Sequence, residues 1–276
     1  MTIAVTGATG HLGQLTLAAL AARGATDVFG LARSPEKLTG AARRFDYSDP
    51  DSFDALAGVD TLLLISSSEV GQRAPQHRNV IEAAKAHGVG HILYTSLLHA
   101  DRSKMQLAEE HVATEAALAA SGLSHTLLRN GWYGENYDSA IAYAAQSGTI
   151  AGASGAGRIA AAARSDYAEA LAAVALDPGL QGKTYELAGD AGFTLDELAA
   201  EIAAQAGRAV EVSHLAEAEY RALLETMGLP GPFAAIIADS DAQAANGALF
   251  DDSHDLSRLI GRPTTPLAEI VRAALG

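Results

Sequence analysis

Gly7, Gly10 and Gly13 are the residues through which this chain could first do chemistry. They lie in Gly7-Ala8-Thr9-Gly10-His11-Leu12-Gly13, directly after the apolar stretch Ile3 to Thr6. A helix-forming stretch from Gln14 to Arg23 follows, Gly24 stops it, and a second apolar run, Val28 to Ala32, ends at Arg33. Strand, glycine loop, helix, strand is the order that a site for a dinucleotide pyrophosphate requires. Gly7 permits the sharp turn off the strand, Gly10 lets backbone approach phosphate oxygens, and Gly13 lets the helix pack closely. The free N–H groups and the dipole at the helix start favour an anion by about 0.3–1 kcal/mol per charge, up to about 2 if partly buried. The spacing is G-x-x-G-x-x-G, not G-x-G-x-x-G, so a tight turn that binds nothing is the competing reading. The strand before it and the helix after it favour the cofactor loop.

Arg33 points to which cofactor. A site for NAD places Asp or Glu at the end of the second strand to accept from the ribose hydroxyls. Asp27 lies at the wrong end of that strand, and Arg33 occupies the right one. A guanidinium there suits a 2′-phosphate, so NADPH is expected over NADH. The competing reading is a solvated surface arginine. Lys37, Arg43 and Arg44 extend a local basic patch in a chain of net charge −14, which would otherwise repel a polyanionic cofactor. Asp46, ending the third strand, could accept from the adenine amino group or simply form a turn. Ser66-Ser67-Ser68-Glu69 follows the fourth strand and is expected to border the cofactor ribose.

The reaction is narrowed by what is missing. Many enzymes of this fold reduce carbonyls with a tyrosine acid and a lysine four residues later on one helix face. The residues four places after the tyrosines here are Asp51, Leu98, Tyr137, Ile141, Ser147, Leu171, Gly189 and Leu224. None is lysine. The helix that would carry the pair holds His111 and Glu115, readable as an acid–base pair or as an exposed pair beside Glu109 and Glu110. Quinone reduction asks less: hydride transfer leaves an aromatic phenolate, far less basic than an alkoxide, so orientation and exclusion of water can suffice. Asn130-Gly131-Trp132-Tyr133-Gly134-Glu135-Asn136-Tyr137 follows the sixth strand, at the edge where such sheets bind ligands. Its aromatics and amides can stack on a flat ring and hydrogen-bond a carboxamide, or the segment is a packing hinge. The histidines are scattered without H-E-x-x-H and there is no cysteine, so no metal site is expected. Gly-x-Ser-x-Gly is absent too, which gives no support to a hydrolase.

These residues need a sheet to position them. Strands are expected at Ile3–Thr6, Val28–Ala32, Arg43–Asp46, Thr61–Ile65, His91–Thr95, His125–Arg129 and Thr184–Leu187, with helices near 12–22, 50–57, 73–87, 104–121 and 165–177. Runs such as Leu62-Leu63-Leu64-Ile65 read as strands buried on both faces. The alternation predicts an α/β fold, a doubly wound parallel Rossmann sheet, with a smaller and mostly helical C-terminal lobe. The expected division is 1–187 for cofactor binding, with 131–164 contributing to the cleft, and 188–276 for the substrate-side lobe. In the latter, Thr194 to Glu197 is a capping box opening a helix to Ala206, Val210 to Ser213 a short strand, and Gly228 to Pro232 a break. Pro266 is expected at the first helical position of the last helix. Apolar residues make up 49 % of the 276, which implies a folded globule. No basic-then-apolar leader and no apolar run of about 18 residues is visible, so a cytoplasmic protein without a membrane span is expected. The acidic balance disfavours nucleic acid.

These blocks together resemble the NmrA-like atypical short-chain dehydrogenase/reductase family, in its bacterial NAD(P)H:quinone oxidoreductase type 2 branch. Thr6 to Gly10 with Arg33 is shared by the wider family. More specific are Leu64 to Asn79, Tyr94 to Asp101, Leu127 to Tyr133 and Leu249 to Ser253, which run nearly end to end. The resemblance implies NADPH held by Gly7 through Leu12, by Arg33, near Ser68, and by Asn130, Gly131, Trp132, Tyr133, Gly134 and Glu135. It implies reduction of a small quinone without flavin or metal, in a cleft between two lobes, and it is compatible with a homodimer. Gly134 stands where a close relative has serine. No catalytic acid carries over, and Tyr133 and Asn136 are the candidates. NmrA-like proteins that bind the cofactor without turnover, as redox sensors for a protein partner, are the alternative.

Overall fold

Leucine at three consecutive positions, Leu62 to Leu64, is what a strand covered on both sides requires, and helices do cover both sides here. A computed structural model describes residues 1–276. In chain order the elements are β1 (Ile3–Val5), α1 (His11–Ala22), β2 (Val28–Ala32), β3 (Ala42–Arg44), β4 (Thr61–Leu64), α2 (Arg73–Ala86), β5 (His91–Leu97), α3 (Ala108–Ser121) and β6 (Ser124–Asn130). There follow α4 (Asp138–Ser147), β7 (Thr149–Gly152), α5 (Arg164–Leu176), β8 (Thr184–Leu187), α6 (Leu195–Ala206), β9 (Glu211–His214), α7 (Glu217–Thr226), α8 (Gly231–Ala244), α9 (Asp255–Ile260) and α10 (Leu267–Leu275). Seven strands pair in the order β3-β2-β1-β4-β5-β6-β8, all parallel, the doubly wound Rossmann arrangement with one further strand at its edge.

Alternate residues of each strand serve opposite faces. Leu62, Leu64, Ile92 and Tyr94 pack under α2 and α3 with Val80, Ile81 and Leu118. Leu63, Leu93 and Leu128 pack under α1 and α5 with Leu12, Leu20 and Leu171. A second core gathers Ile141, Ile150, Leu198, Ile202, Leu249 and Val271, beside the two-stranded parallel sheet of β7 and β9. Residues 188–276 do not form that core alone. Ile141 of α4 and Ile150 of β7 belong to it, whereas Leu256 and Ile260 of α9 belong to the core of the large sheet.

Several local expectations are corrected. The stretch near 50–57 is a 3-10 helix, Pro50–Leu56, entered through the Asp49 side chain. The break expected at 228–232 is shorter, since α8 already begins at Gly231 and Pro232 fits its first turn, where the missing N–H costs nothing. Pro266 is the N-cap of α10, with extended backbone, and not its first helical residue. The Thr194–Glu197 capping box is present in both directions and opens α6.

Candidate active site

The glycine loop lies between β1 and α1 as the spacing demands. Gly7 has φ +58, left-handed backbone that favours glycine. A Cβ on Gly13 would sit 2.3 Å from the Gly7 carbonyl oxygen and 2.7 Å from Ala8 Cα, so α1 can lie on the loop only because Gly13 is bare. The Gly10 N–H donates to Gly7 O at 2.9 Å, closing the turn, and Gln14 Nε2 donates to Thr9 O at 2.9 Å. No side chain caps α1 and no acid stands in its first turn. Its start is therefore open to an anion. His11 is exposed, whereas the Leu12 side chain belongs to the core and leaves only its backbone for a ligand.

Loops after β2, β3 and β4 meet on one side of this turn. Arg33 Nη1 and Glu69 Oε1 are 3.0 Å apart, and Gln76 Nε2 donates to Glu69 Oε2 at 2.8 Å. Below them the Tyr47 hydroxyl lies 2.5 Å from Thr6 Oγ1 and donates to Ile65 O at 2.7 Å. Burial raises the Tyr47 phenol far above its usual range, so it is fixed as a neutral tie between β1, β4 and the β3 loop. Asp46 Oδ1 accepts the Ser48 N–H at 2.9 Å, so one of its oxygens is held in a turn. Ser67 is positioned from beneath: its N–H donates to His77 Nε2 at 2.9 Å and its carbonyl accepts from Arg73 Nε at 2.7 Å. Burial, with Arg73 adding to it, pushes His77 down to about 3, so His77 is a neutral acceptor. Ser68 follows directly and is exposed.

The segment after β6 divides its aromatic residues between two jobs. Trp132 and Tyr137 pack on the second core, and Tyr137 meets Phe193 edge-on at 5.8 Å. Tyr133 packs on the core of the large sheet, its ring edge-on to Tyr167 at 5.1 Å. Asn130 Nδ2 donates to the Tyr133 hydroxyl at 3.2 Å, while Asn130 Oδ1 is buried with no partner. Burial raises the Tyr133 phenol, which stays protonated. Gly131 is bare because a Cβ would lie 2.9 Å from Leu187 O, and at Gly134 a Cβ would lie 2.9 Å from Ile270 Cδ1. Glycine at 134 thus fits the close approach of α10. Glu135 uses both carboxylate oxygens on the Arg164 N–H, at 2.9 and 3.1 Å, and so caps α5. Asn136 is exposed and its Oδ1 accepts from Arg164 Nη2 at 3.1 Å. Of the two proton-donor candidates, only Tyr133 is joined to Asn130.

Arg164 is the residue that sequence reasoning missed. Its guanidinium lies 4.7 Å over the Tyr133 ring while it holds Glu135 and Asn136. No local signal marks it; only the fold of 131–138 back onto the start of α5 makes the contact. In that same segment the Asp138 carboxyl is raised by partial burial, with Glu135 adding to it. His111 and Glu115 are neither exposed nor paired with each other. His111 Nδ1 is 2.7 Å from the Tyr94 hydroxyl, and Glu115 holds Ser96 and Arg129, because that face of α3 lies on β5 and β6. A separate polar cavity of about 590 Å³ between the loop after β5 and the end of α8 is lined by His99, Arg102, Lys104, Asn246 and Phe250 among others, and by none of the expected site residues.

The sequence pattern of the NAD(P)H-binding family matches residues 7–178. Quinone oxidoreductase 2 of Escherichia coli (strain K12) is 53% identical over 277 residues, covering 98% of this chain and 97% of that protein. The crystal structure of an NADPH-dependent quinone oxidoreductase from Escherichia coli, complexed with NADPH, superposes with a TM-score of 0.96 at 51% identity over 100% of both chains. Triphenylmethane reductase of Citrobacter sp., complexed with NADP(H), superposes with a TM-score of 0.94 at 35% identity, over 99% of this chain and 100% of that one.

Proposed function

The chain belongs to the NmrA-like NAD(P)H-binding family that includes quinone oxidoreductase 2, and from that premise we propose that it reduces quinones with NADPH, by direct hydride transfer without flavin or metal. One observation carries the reading: the uncapped start of α1 and the Asn130–Tyr133 pair lie at the same carboxyl edge of one sheet, where such sheets bind their ligands. The residues fit the cofactor. Gly7, Ala8, Thr9, Gly10, His11, Leu12 and Gly13 form the turn and the uncapped helix start that would face the phosphates, α1 being seated on the loop by the bare Gly13, and Arg33 suits the 2′-phosphate. Asn130 Oδ1, buried without a partner, needs a donor such as a carboxamide N–H. Ser67, Ser68 and Asp46 border the ribose and adenine side, and Gly131, Trp132, Gly134 and Glu135 set the opposite wall. Bound there, the cofactor supplies the hydride.

The protein's own contribution is orientation, exclusion of water and one hydrogen bond. The Tyr133 hydroxyl accepts from Asn130, and its own hydrogen has no acceptor within the protein. That hydrogen is available to the oxygen on which a quinone gathers charge. Because burial raises this phenol, it stabilises the charge by donation and does not behave as a tuned acid. Asn136 acts through Arg164, which holds the Tyr133 ring. The test is NADPH consumption by the purified protein with benzoquinone, with naphthoquinone and with no acceptor. Acceptor-dependent consumption is expected. NADPH binding with no turnover on either quinone would overturn the enzyme and favour a redox sensor. No helix is long and apolar enough to cross a membrane. The reading adds a cytoplasmic protein that does not bind nucleic acid, supported by the net charge of −14, and it accommodates a homodimer.

A further inference from the structure

The Arg33–Glu69 pair is more than a surface ion pair because of where the sheet order puts its ends. Arg33 follows β2 and Glu69 lies in the loop after β4, while β1, which carries the glycine loop, runs between those two strands. The pair, 3.0 Å from Nη1 to Oε1, therefore joins the two loops that flank the glycine loop. Both side chains are solvent-accessible, at 69% and 45%, so the contact can open. Glu69 is nevertheless aimed from below. Its second oxygen accepts from Gln76 Nε2 at 2.8 Å, and Gln76 is buried and also reaches Ser48 Oγ at 3.3 Å. Its backbone N–H donates to Ser67 Oγ at 3.2 Å. A carboxylate held this way offers Arg33 the partner that a phosphate would offer, one anionic oxygen at hydrogen-bond distance.

We propose that Glu69 is a specificity-determining residue: its carboxylate competes with the cofactor's 2′-phosphate for Arg33, so NADPH must displace it and NADH need not. This rests on the NADPH-binding role of Arg33 proposed above. A dianionic phosphate outbids a single carboxylate for the guanidinium, which leaves NADPH preferred while Glu69 narrows the preference. Once displaced, Glu69 remains held by Gln76, so it re-forms the pair when the cofactor leaves.

The test is calorimetric titration of NADPH and of NADH into the wild-type protein, Glu69→Gln and Glu69→Asp. Glu69→Gln keeps the Gln76 contact and removes the charge. Glu69→Asp keeps the charge and shortens the reach to Arg33. Both variants are expected to bind NADPH about 2- to 5-fold more tightly, the range for loss of one exposed ion-pair competitor, and NADH with no such gain. Weaker or unchanged NADPH binding in Glu69→Gln, or equal changes for both cofactors, would overturn the competition. Wild-type affinity in Glu69→Asp would overturn it as well, since general charge repulsion would then explain any gain in Glu69→Gln. If the unmodified protein binds neither cofactor, the reading of the site itself fails, a result visible before any variant is made.

Discussion

In the proposed site, single side chains set cofactor choice and the last proton-bearing contact. Arg33 stands out in the sequence because a strand ending in a basic residue, with no acid beside it, suits a 2′-phosphate in a dinucleotide site. Removing it, as Arg33→Ala, deletes a charge-assisted contact of about 1.5–3 kcal/mol. NADPH affinity should fall roughly 10- to 100-fold, with NADH nearly unchanged, by titration of both. Equal losses would make Arg33 structural. Tyr133→Phe removes only the hydroxyl that Asn130 touches and leaves the ring between Tyr167 and Arg164. The expected fall in kcat with a quinone is about 10-fold, below the 10²–10⁴ of a tuned general acid. The KM for NADPH should hold. A loss of 10³ or more would mean that the phenol transfers its proton in the rate-limiting step.

At the scale of elements, the loop and the helix after it form one unit. Gly13→Ala would put a methyl 2.3 Å from the Gly7 carbonyl oxygen, and backbone on both sides leaves nothing flexible to yield. Overpacking of this kind costs about 1–3 kcal/mol. The helix start should lift from the loop, lowering the melting temperature and weakening both cofactors together, unlike Arg33→Ala. Unchanged NADPH binding in this variant would mean that α1 does not form the anion site. This unit was legible since glycine spacing and apolar runs are local in sequence. So was the parallel sheet, whose central strands announce their burial by continuous leucine. The second lobe was read less well. Its core joins Ile141 and Ile150 to Leu198 and Val271, contacts that no local periodicity records. Arg164 escaped for the same reason, lying at the start of α5 and meeting Tyr133 only when the chain doubles back. His111 and Glu115 misled because a spacing of four reads as a surface pair, whereas that helix face is laid on β5 and β6.

Across the whole molecule, the buried histidines link cofactor-site geometry to stability. Burial lowers His77, His91 and His111, which favours the neutral ring in the folded chain. Unfolding returns each to its ordinary value near 6.5, where it binds a proton more readily than the folded state does. The stabilising contribution is therefore complete above about pH 6.5 and is lost as pH falls from there, for His77 toward its folded value of about 3. Each pH unit in that window should remove about 1 kcal/mol for His77 alone. A melting series from about pH 7.5 to about pH 5 should decline steadily, and His77→Gln should decline less steeply by close to one proton's worth of slope. The neutral ring is also what accepts the Ser67 N–H of the ribose-side loop, and with a folded value of about 3 it stays neutral across this range. A melting temperature that is flat or rising across this range, or a His77→Gln slope equal to the wild type, would show that His77 is not the group that couples loop and core.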